Sequence, residues 1–165
     1  MTTQLPDAEA TLAALAERMR GAVAYEAAFV GIYSGGAWLA ERLPALVPGD
    51  HPVGFIDVSF YRDDYATAGL KGGSRRTSLP FNVDGATIVL VDDVLYTGRS
   101  VRAAVNELFD FGRPARIELA VLIDRGGREL PIEPTYCGAR LTVARDLSIV
   151  LSRDGERLAL DVQKS

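Results

Sequence analysis

The chain has 165 residues, of which 48% are hydrophobic and 24% are charged, and its formal net charge is −4. This length suits one α/β domain with a buried core, so we expect a single domain over residues 1–165. The charge balance gives no general sign of binding to nucleic acid or to an anionic membrane. No apolar run approaches the roughly 20 residues that span a bilayer, and the first residues lack a secretory signal pattern.

Cys137 is the only cysteine and His51 is the only histidine. A disulfide within the chain is therefore impossible, which favours a cytoplasmic location. Zinc sites built from Cys and His, and Cys–His or Ser–His catalysis, are also poorly supported. We interpret Cys137 as a small buried residue and His51 as part of a turn.

The first half of the sequence alternates between helical and strand patterns. Apolar residues recur at helical spacing after Asp7, which is one candidate helix cap, with Thr11 as the other. Ser34, Gly35 and Gly36 interrupt the pattern after the first apolar run. The predicted elements are a helix over about 7–23, a strand over 27–32, a helix over about 37–46 and a strand over 53–61.

Residues 62–80 differ in kind, because they combine glycines and basic side chains with few large apolar groups. A loop of this length within a compact domain is typically a lid, a binding loop or a mobile hairpin. In the second half we predict a strand over 87–91, a helix over about 100–111, a strand over 117–123 and a terminal hairpin over 147–162. Strands that alternate with helices in this way favour a parallel sheet.

The most informative stretch is residues 87–100. A β-branched run ends in Asp92 and Asp93, and a loop rich in hydroxyl groups and backbone donors then leads into a helix. The carboxyl end of a buried parallel strand lies at the crevice where open α/β sheets bind ligands. The start of the following helix favours an anion. Together these features suggest a phosphorylated sugar as ligand.

Residues 89–100 resemble the phosphoribosyl pyrophosphate (PRPP) signature of the type I phosphoribosyltransferases. Residues 57–64, 112–114 and 124–132 are similar to segments of the pyrimidine operon regulator family, PyrR, and the resemblance runs from about residue 31 to 136. It implies a type I phosphoribosyltransferase fold, with a central, mostly parallel sheet flanked by helices, a small hood and a mobile loop. It also implies that uracil and PRPP react to give UMP and diphosphate with Mg²⁺, and that the protein regulates pyrimidine biosynthesis genes.

The same resemblance implies roles for individual residues. Asp92 and Asp93 would hold the ribose hydroxyls and stabilise positive charge on the sugar, while Arg75 and Arg76 would assist catalysis at the diphosphate. Asp63 and Asp64 would help to hold the metal, and uracil would be contacted, largely through backbone groups, at Asp124, Arg125 and Gly126. The residues implied in PRPP binding are Ser34, Gly35, Gly36, Arg62, Asp92, Asp93, Val94, Leu95, Tyr96, Thr97, Gly98, Arg99 and Ser100.

Two positions depart from the family pattern, because Gly35 and Gly127 stand where many relatives carry Arg and His.

One alternative function is that of a transcription attenuation regulator that binds pyr leader RNA and has little or no enzyme activity, and another is that of a purine phosphoribosyltransferase. A homo-oligomer, either a dimer or a tetramer, could assemble scattered basic residues into one RNA-binding face. These residues are Arg18, Arg20, Arg42, Arg113 and Arg116.

Overall fold

A computed structural model describes residues 4–59 and 77–165. Strands and helices alternate along most of this part of the chain, and an antiparallel hairpin ends it. The elements are α1 (Ala8–Met19), β1 (Ala28–Ile32), α2 (Gly35–Arg42), a 3₁₀ turn (Leu43–Ala45), β2 (Val53–Ile56), β3 (Thr87–Leu95), α3 (Arg99–Phe111), β4 (Arg116–Asp124), β5 (Tyr136–Arg140), β6 (Leu147–Asp154) and β7 (Arg157–Lys164).

The described residues form a parallel sheet in the order β2-β1-β3-β4-β5. This confirms the predicted parallel sheet. The chain passes from β1 to β2 on one side of β1 and then returns to β3 on the other side. The strand order therefore reverses between β1 and β3, and ligands of open α/β sheets bind outside the carboxyl ends of strands at such a point.

The central strands are buried on both faces, which explains why their sequences are almost continuously apolar. Phe29, Val89 and Val91 belong to the core shared with α1 and α2. Ile88 and Leu90, which alternate with the two valines, belong to the core beneath α3. Helices therefore cover both faces of the sheet, as the resemblance implied.

Several boundaries differ from those predicted. Strand β3 continues beyond the apolar run and includes both aspartates, because its backbone stays paired with β4 as far as Leu95 opposite Asp124. Strand β2 ends at Ile56, and residues 60–61 of the predicted strand lie outside the described part of the chain. Helix α1 ends at Met19, since Arg20 is extended and Gly21 has a φ of +78°.

Strand β5 was not predicted from the sequence, because it is short and contains a glycine. Gly138 allows α1 to approach closely: a Cβ there would lie 2.8 Å from Thr11 Cγ2 and 2.6 Å from the carbonyl oxygen of Leu122. Cys137 is a buried free thiol, as predicted. His51 stacks on Phe29 with ring centroids 4.5 Å apart, which agrees with its predicted structural role.

The hairpin of β6 and β7 packs on the core shared with α1 and α2, and one carboxylate links all three. Glu9 accepts hydrogen bonds from Arg42 at 2.7 and 2.8 Å and from the backbone N–H of Leu158 at 3.0 Å. The hydrogen bonds from Arg42 and Leu158 lower the pKa of Glu9 to about 2. In the described residues, no helix has both the length and the apolar character that crossing a membrane demands.

Candidate functional site

The site lies where the loops after β1 and β3 meet, and glycines allow that approach. A Cβ at Gly31 would lie 2.5 Å from the carbonyl oxygen of Gly36 and 2.6 Å from Ala37 Cα. A Cβ at Gly36 would lie 3.0 Å from Asp92 Cα. Helix α2 therefore begins directly against β1 and β3, with Ser34 at its N-cap, and side chains at these positions would separate the two loops.

Gly35 lies directly against the acidic pair. A Cβ at position 35 would collide with the carboxylate of Asp93. Asp92 is 7% exposed, and its Oδ1 accepts a hydrogen bond from the Asp93 N–H at 2.9 Å. The Oδ1 of half-buried Asp93 accepts from the Val94 N–H at 2.8 Å. The structure thus brings Ser34, Gly35 and Gly36 together with both aspartates.

Residues 96–98, which we name the phosphate loop, connect β3 to α3. Gly98 is the N-cap of the helix and has a φ of +94°, a conformation that favours glycine. Thr97 Oγ1 accepts a hydrogen bond from the Arg99 N–H at 3.2 Å. Leu95 is 1% exposed, and its carbonyl accepts a hydrogen bond from the Arg125 N–H at 3.1 Å, so this residue is covered by the protein. Backbone N–H groups at the start of a helix favour an anion, and Ser100 lies in its first turn.

Residues 124–128, which begin with the last residue of β4, form the second half of the candidate site, and we name them the base loop. Asp124 is 4% exposed and pairs with Arg128 at 2.7 Å and with Arg140 at 3.3 Å. Burial raises the pKa of the Asp124 carboxyl, but hydrogen bonds from Arg128 and the Gly126 N–H, with the nearby positive charges, outweigh it. The pKa therefore lies below its usual value.

Arg125 is 6% exposed, and its side chain points into the protein. Its Nη1 donates to the carbonyl of Leu147 at 2.6 Å and its Nη2 to that of Ala144 at 3.0 Å. The guanidinium carbon also lies 4.0 Å from the centroid of the Tyr96 ring. A contact between residue 125 and a base would therefore use the backbone, as would one at Gly126.

The base loop and its continuation are bonded to the phosphate loop. Arg128 Nη1 donates to the carbonyl of Tyr96 at 3.1 Å. The carbonyl of Thr97 accepts from the N–H groups of Glu129 at 3.0 Å and Leu130 at 3.2 Å. The side chains of Arg99 and Glu129 form an exposed ion pair at 3.0 Å. The two loops thus form one hydrogen-bonded unit.

A cavity of about 250 Å³ opens beside the base loop. Arg140, Leu141 and Thr142 line it opposite Asp124, Arg125 and Gly126. Sequence reasoning missed these three lining residues because it missed β5, whose carboxyl end carries them to the same sheet edge. The signal that could have found them is their position just after the short apolar segment at 136–139.

Arg62, Asp63, Asp64, Arg75 and Arg76 lie outside the described residues, and so does most of the predicted 62–80 loop. The end of that loop is described: Ser78 pairs with Phe55 in an antiparallel bridge. Within residues 4–59 and 77–165, no group of three or more His, Cys, Asp or Glu side chains is arranged to hold a metal ion.

The phosphoribosyl transferase domain family matches residues 1–140 of this chain. The chain is 53% identical over 160 residues to "Bifunctional protein PyrR" of Ralstonia nicotianae, covering 94% of this chain and 91% of the relative. It is 50% identical over 123 residues to the protein of the same name from Pseudomonas paraeruginosa, covering 74% of this chain and 72% of the relative.

A hypoxanthine-guanine phosphoribosyltransferase structure from Bacillus anthracis has a TM-score of 0.69 with this one. That match covers 96% of this chain and 98% of the other at 19% identity, so it establishes the fold alone. Three observations agree on the family. Residues 89–100 resemble the PRPP signature, the sheet has the parallel topology that this resemblance implies, and the two long matches have about 50% identity. The chain therefore belongs to the PyrR family of the type I phosphoribosyltransferases.

Proposed function

We propose that this protein transfers the ribose 5-phosphate group of PRPP to uracil, giving UMP and diphosphate. The observation that carries the proposal is the meeting of Gly35, the acidic pair and the phosphate loop at the point where the strand order reverses. In this reaction a bond forms between uracil N1 and the C1 carbon of ribose, while the bond from that carbon to diphosphate breaks. Diphosphate leaves with the bonding electron pair, and the N1 proton of uracil is lost to solvent. The base is itself the nucleophile, which suits a site without a Cys or His beside the aspartates.

The phosphate loop binds the 5-phosphate in this proposal. Gly98 brings the backbone close to the ligand, Thr97 Oγ1 accepts a hydrogen bond from the Arg99 N–H, and Ser100 lies in the first turn of α3. The partial positive charge of the backbone N–H groups at the start of α3 favours the phosphate dianion. Val94, Leu95 and Tyr96 contribute through the backbone that leads into the loop.

Asp92 and Asp93 accept hydrogen bonds from the ribose hydroxyls. Positive charge develops on the ribose ring as diphosphate leaves, and fixed carboxylates stabilise that charge without having to reorganise. Both carboxylates are held by backbone N–H groups of their own strand, which fixes their orientation. Electrostatic stabilisation is thus the main catalytic contribution that we assign to side chains of the described residues.

The loop of Ser34, Gly35 and Gly36 grips diphosphate through backbone donors, and Arg62, Arg75 and Arg76 add charge from outside the described residues. The carboxylates at this edge give an oxygen donor set, which fits Mg²⁺ held mainly by phosphate oxygens and water. Asp63 and Asp64 are the protein groups that we propose for it. Bound Mg²⁺ would neutralise charge on the departing diphosphate.

Uracil occupies the cavity beside the base loop, between residues 124–126 and residues 140–142. Because the side chains of Asp124 and Arg125 are engaged within the protein, backbone groups read the base. We propose that residues 1–165 act as one domain, and the cytoplasmic location stays a prediction.

The test is the formation of labelled UMP from radiolabelled uracil by the purified protein, with and without PRPP and Mg²⁺. We expect product only when both are present, with uracil preferred over hypoxanthine and adenine in competition. Absence of UMP formation by protein with an intact circular dichroism spectrum would overturn the proposal. A preference for hypoxanthine would instead support a purine phosphoribosyltransferase.

The relatives' name, "Bifunctional protein PyrR", favours a second role, and we propose regulation by binding pyr leader RNA. Of the arginines singled out in the sequence, Arg42 pairs with Glu9, Arg116 pairs with Glu118, and Arg18 donates to the Cys137 carbonyl. An RNA-binding face would form from such residues in a homo-oligomer, either a dimer or a tetramer. A gel shift on the leader across a salt series tests this, since phosphate contacts weaken steeply with salt. Salt-insensitive or absent binding would remove the RNA role.

A further inference from the structure

Tyr96 is the first residue of the phosphate loop, and groups from the base loop hold it on several sides. The guanidinium of Arg125 covers its ring at 4.0 Å. Arg128 donates to its carbonyl at 3.1 Å. A Cβ at Gly127 would collide with the ring, so the ring occupies the space that a side chain at 127 would need.

Hydrogen bonds within the protein also hold the Arg125 side chain in place. Three carbonyls of the 143–147 segment surround its terminal nitrogens, at distances of 2.6 Å from Leu147, 3.0 Å from Ala144 and 3.5 Å from Val143. Its Nε is buried, with no hydrogen-bond partner among the described residues. The Arg125 N–H also donates to the Leu95 carbonyl at 3.1 Å. Both terminal nitrogens of the guanidinium are therefore engaged within the protein.

We propose that Arg125 is a positioning residue for PRPP and UMP, and that it acts through the Tyr96 ring. It links the segment before the terminal hairpin to the first residue of the phosphate loop, and so fixes where the 5-phosphate binds. This inference rests on the proposed function. It adds a role for the side chain of residue 125, on the phosphate side of the substrate, to the backbone contact with uracil that the sequence led us to expect.

The contact between the Arg125 guanidinium and the Tyr96 ring is a cation–π interaction. A guanidinium over a tyrosine ring is attracted by the negative face of the ring, most strongly when both are shielded from water. Here Arg125 is 6% exposed and Tyr96 is half-buried. An uncharged side chain of similar length would fill the space but lose both this attraction and the bonds to the three carbonyls.

The experiment compares Arg125→Met and Arg125→Lys with Arg145→Met, a control that removes an exposed arginine from the neighbouring segment. For Arg125→Met we expect the KM for PRPP to rise roughly tenfold, and the KM for uracil to change by less than about threefold. Arg125→Lys should recover most of the loss, because it keeps a charge and a donor. A KM for uracil that rises as much as that for PRPP would overturn the positioning role.

Binding without turnover gives a second measurement. By calorimetry, Arg125→Met should weaken UMP roughly tenfold and leave uridine, which lacks the phosphate, within about twofold. Equal weakening of both ligands would overturn the inference. If Arg125→Met fails to fold by circular dichroism, Arg125→Lys takes its place. Its KM for PRPP should then rise more than its KM for uracil, and its affinity for UMP should fall more than its affinity for uridine.

A double-mutant cycle tests the route through the ring. If Arg125 acts through Tyr96, the loss of UMP affinity in Arg125→Met combined with Tyr96→Leu should not exceed that of Tyr96→Leu alone. Additive losses would overturn the route. Failure of the wild-type protein to form UMP counts against the proposed function, whereas an active wild type with the wrong KM pattern in its variants counts against the positioning role alone.

Discussion

The loops after β3 and β4 end neighbouring strands at the same sheet edge, yet they use their polar residues in opposite ways. At the end of β3, Asp93 and Thr97 are half-buried, and in the described part of the chain their side-chain oxygens accept hydrogen bonds from the N–H groups of Val94 and Arg99. At the end of β4, Asp124 and Arg125 are 4% and 6% exposed. Asp124 pairs with Arg128 of the same loop and with Arg140 of β5, and Arg125 donates to carbonyls of the 143–147 segment. A charged residue at the carboxyl end of a strand is therefore not by itself a ligand-binding group.

Packing explains the difference. The start of α2 covers Asp93 closely enough to exclude a side chain at Gly35, but no oppositely charged side chain is paired with Asp93 among the described residues. Buried Asp124 needs compensation, which Arg128 and Arg140 provide. Side chains at the end of β3 are thus available to bind a substrate, whereas at the end of β4 mainly backbone groups and the surface of the cavity are available.

Asp93→Asn should produce the largest effect that distinguishes the two loops. Asn preserves the shape and the acceptor for the Val94 N–H but removes the negative charge beneath the sugar, so we expect kcat to fall about 10²- to 10³-fold. The measurement is the rate of UMP formation together with a circular dichroism spectrum. Asp110→Asn, on the exposed side of α3, is the matched control. Near wild-type turnover in Asp93→Asn would show that this loop does not carry the catalytic charge.

Arg128→Met should mainly affect stability. It removes the closer partner of buried Asp124, and leaving a buried charge poorly compensated costs about 3 kcal/mol. Arg99→Met, which breaks an exposed pair with Glu129, should cost less than about 1 kcal/mol. Urea unfolding of both variants gives the comparison. Similar losses for the two would mean that the base loop is not held by its buried pair.

Most of the parallel sheet could be predicted from the sequence, because strands buried on both faces leave continuous apolar runs. Strand β5 could not, since Gly138 and Cys137 give a weak strand signal and its pairing with β4 leaves no local pattern in the sequence. The phosphate loop was also predictable, because a strand, two acids, a glycine and a helix are contiguous in the chain. The inward direction of Arg125 was not, since its partners lie about twenty residues further along.

Gly35→Ala tests whether the close approach of α2 protects the geometry of the first loop. The added Cβ would collide with the Asp93 carboxylate, so either that side chain or the start of α2 must move. We expect kcat/KM for PRPP to fall about tenfold to 100-fold, because small displacements of catalytic groups are costly. Glu41→Ala, at an exposed position near the other end of α2, is the control for a change elsewhere in this helix. Unchanged kcat/KM would show that Asp93 tolerates displacement.

Glu9→Gln should have the smallest effect, because its pair with Arg42 is only partly buried, with side-chain exposures of 33% and 37%. This pair joins α1 to α2, and the same carboxylate links both to the hairpin by accepting from the Leu158 N–H. The folded state lowers the pKa of Glu9 to about 2, so the ionised form stabilises the fold above about pH 4.5. That stability is lost as the pH falls towards 2.

After allowance for screening by solvent, we expect the free energy of unfolding of wild type to exceed that of Glu9→Gln by about 1 kcal/mol at pH 7 and by almost nothing near pH 2. Urea unfolding across this range measures the difference, with exposed Glu17→Gln as the control. A gap between wild type and Glu9→Gln that stayed constant with pH would mean that the hairpin is held by packing and not by this charge.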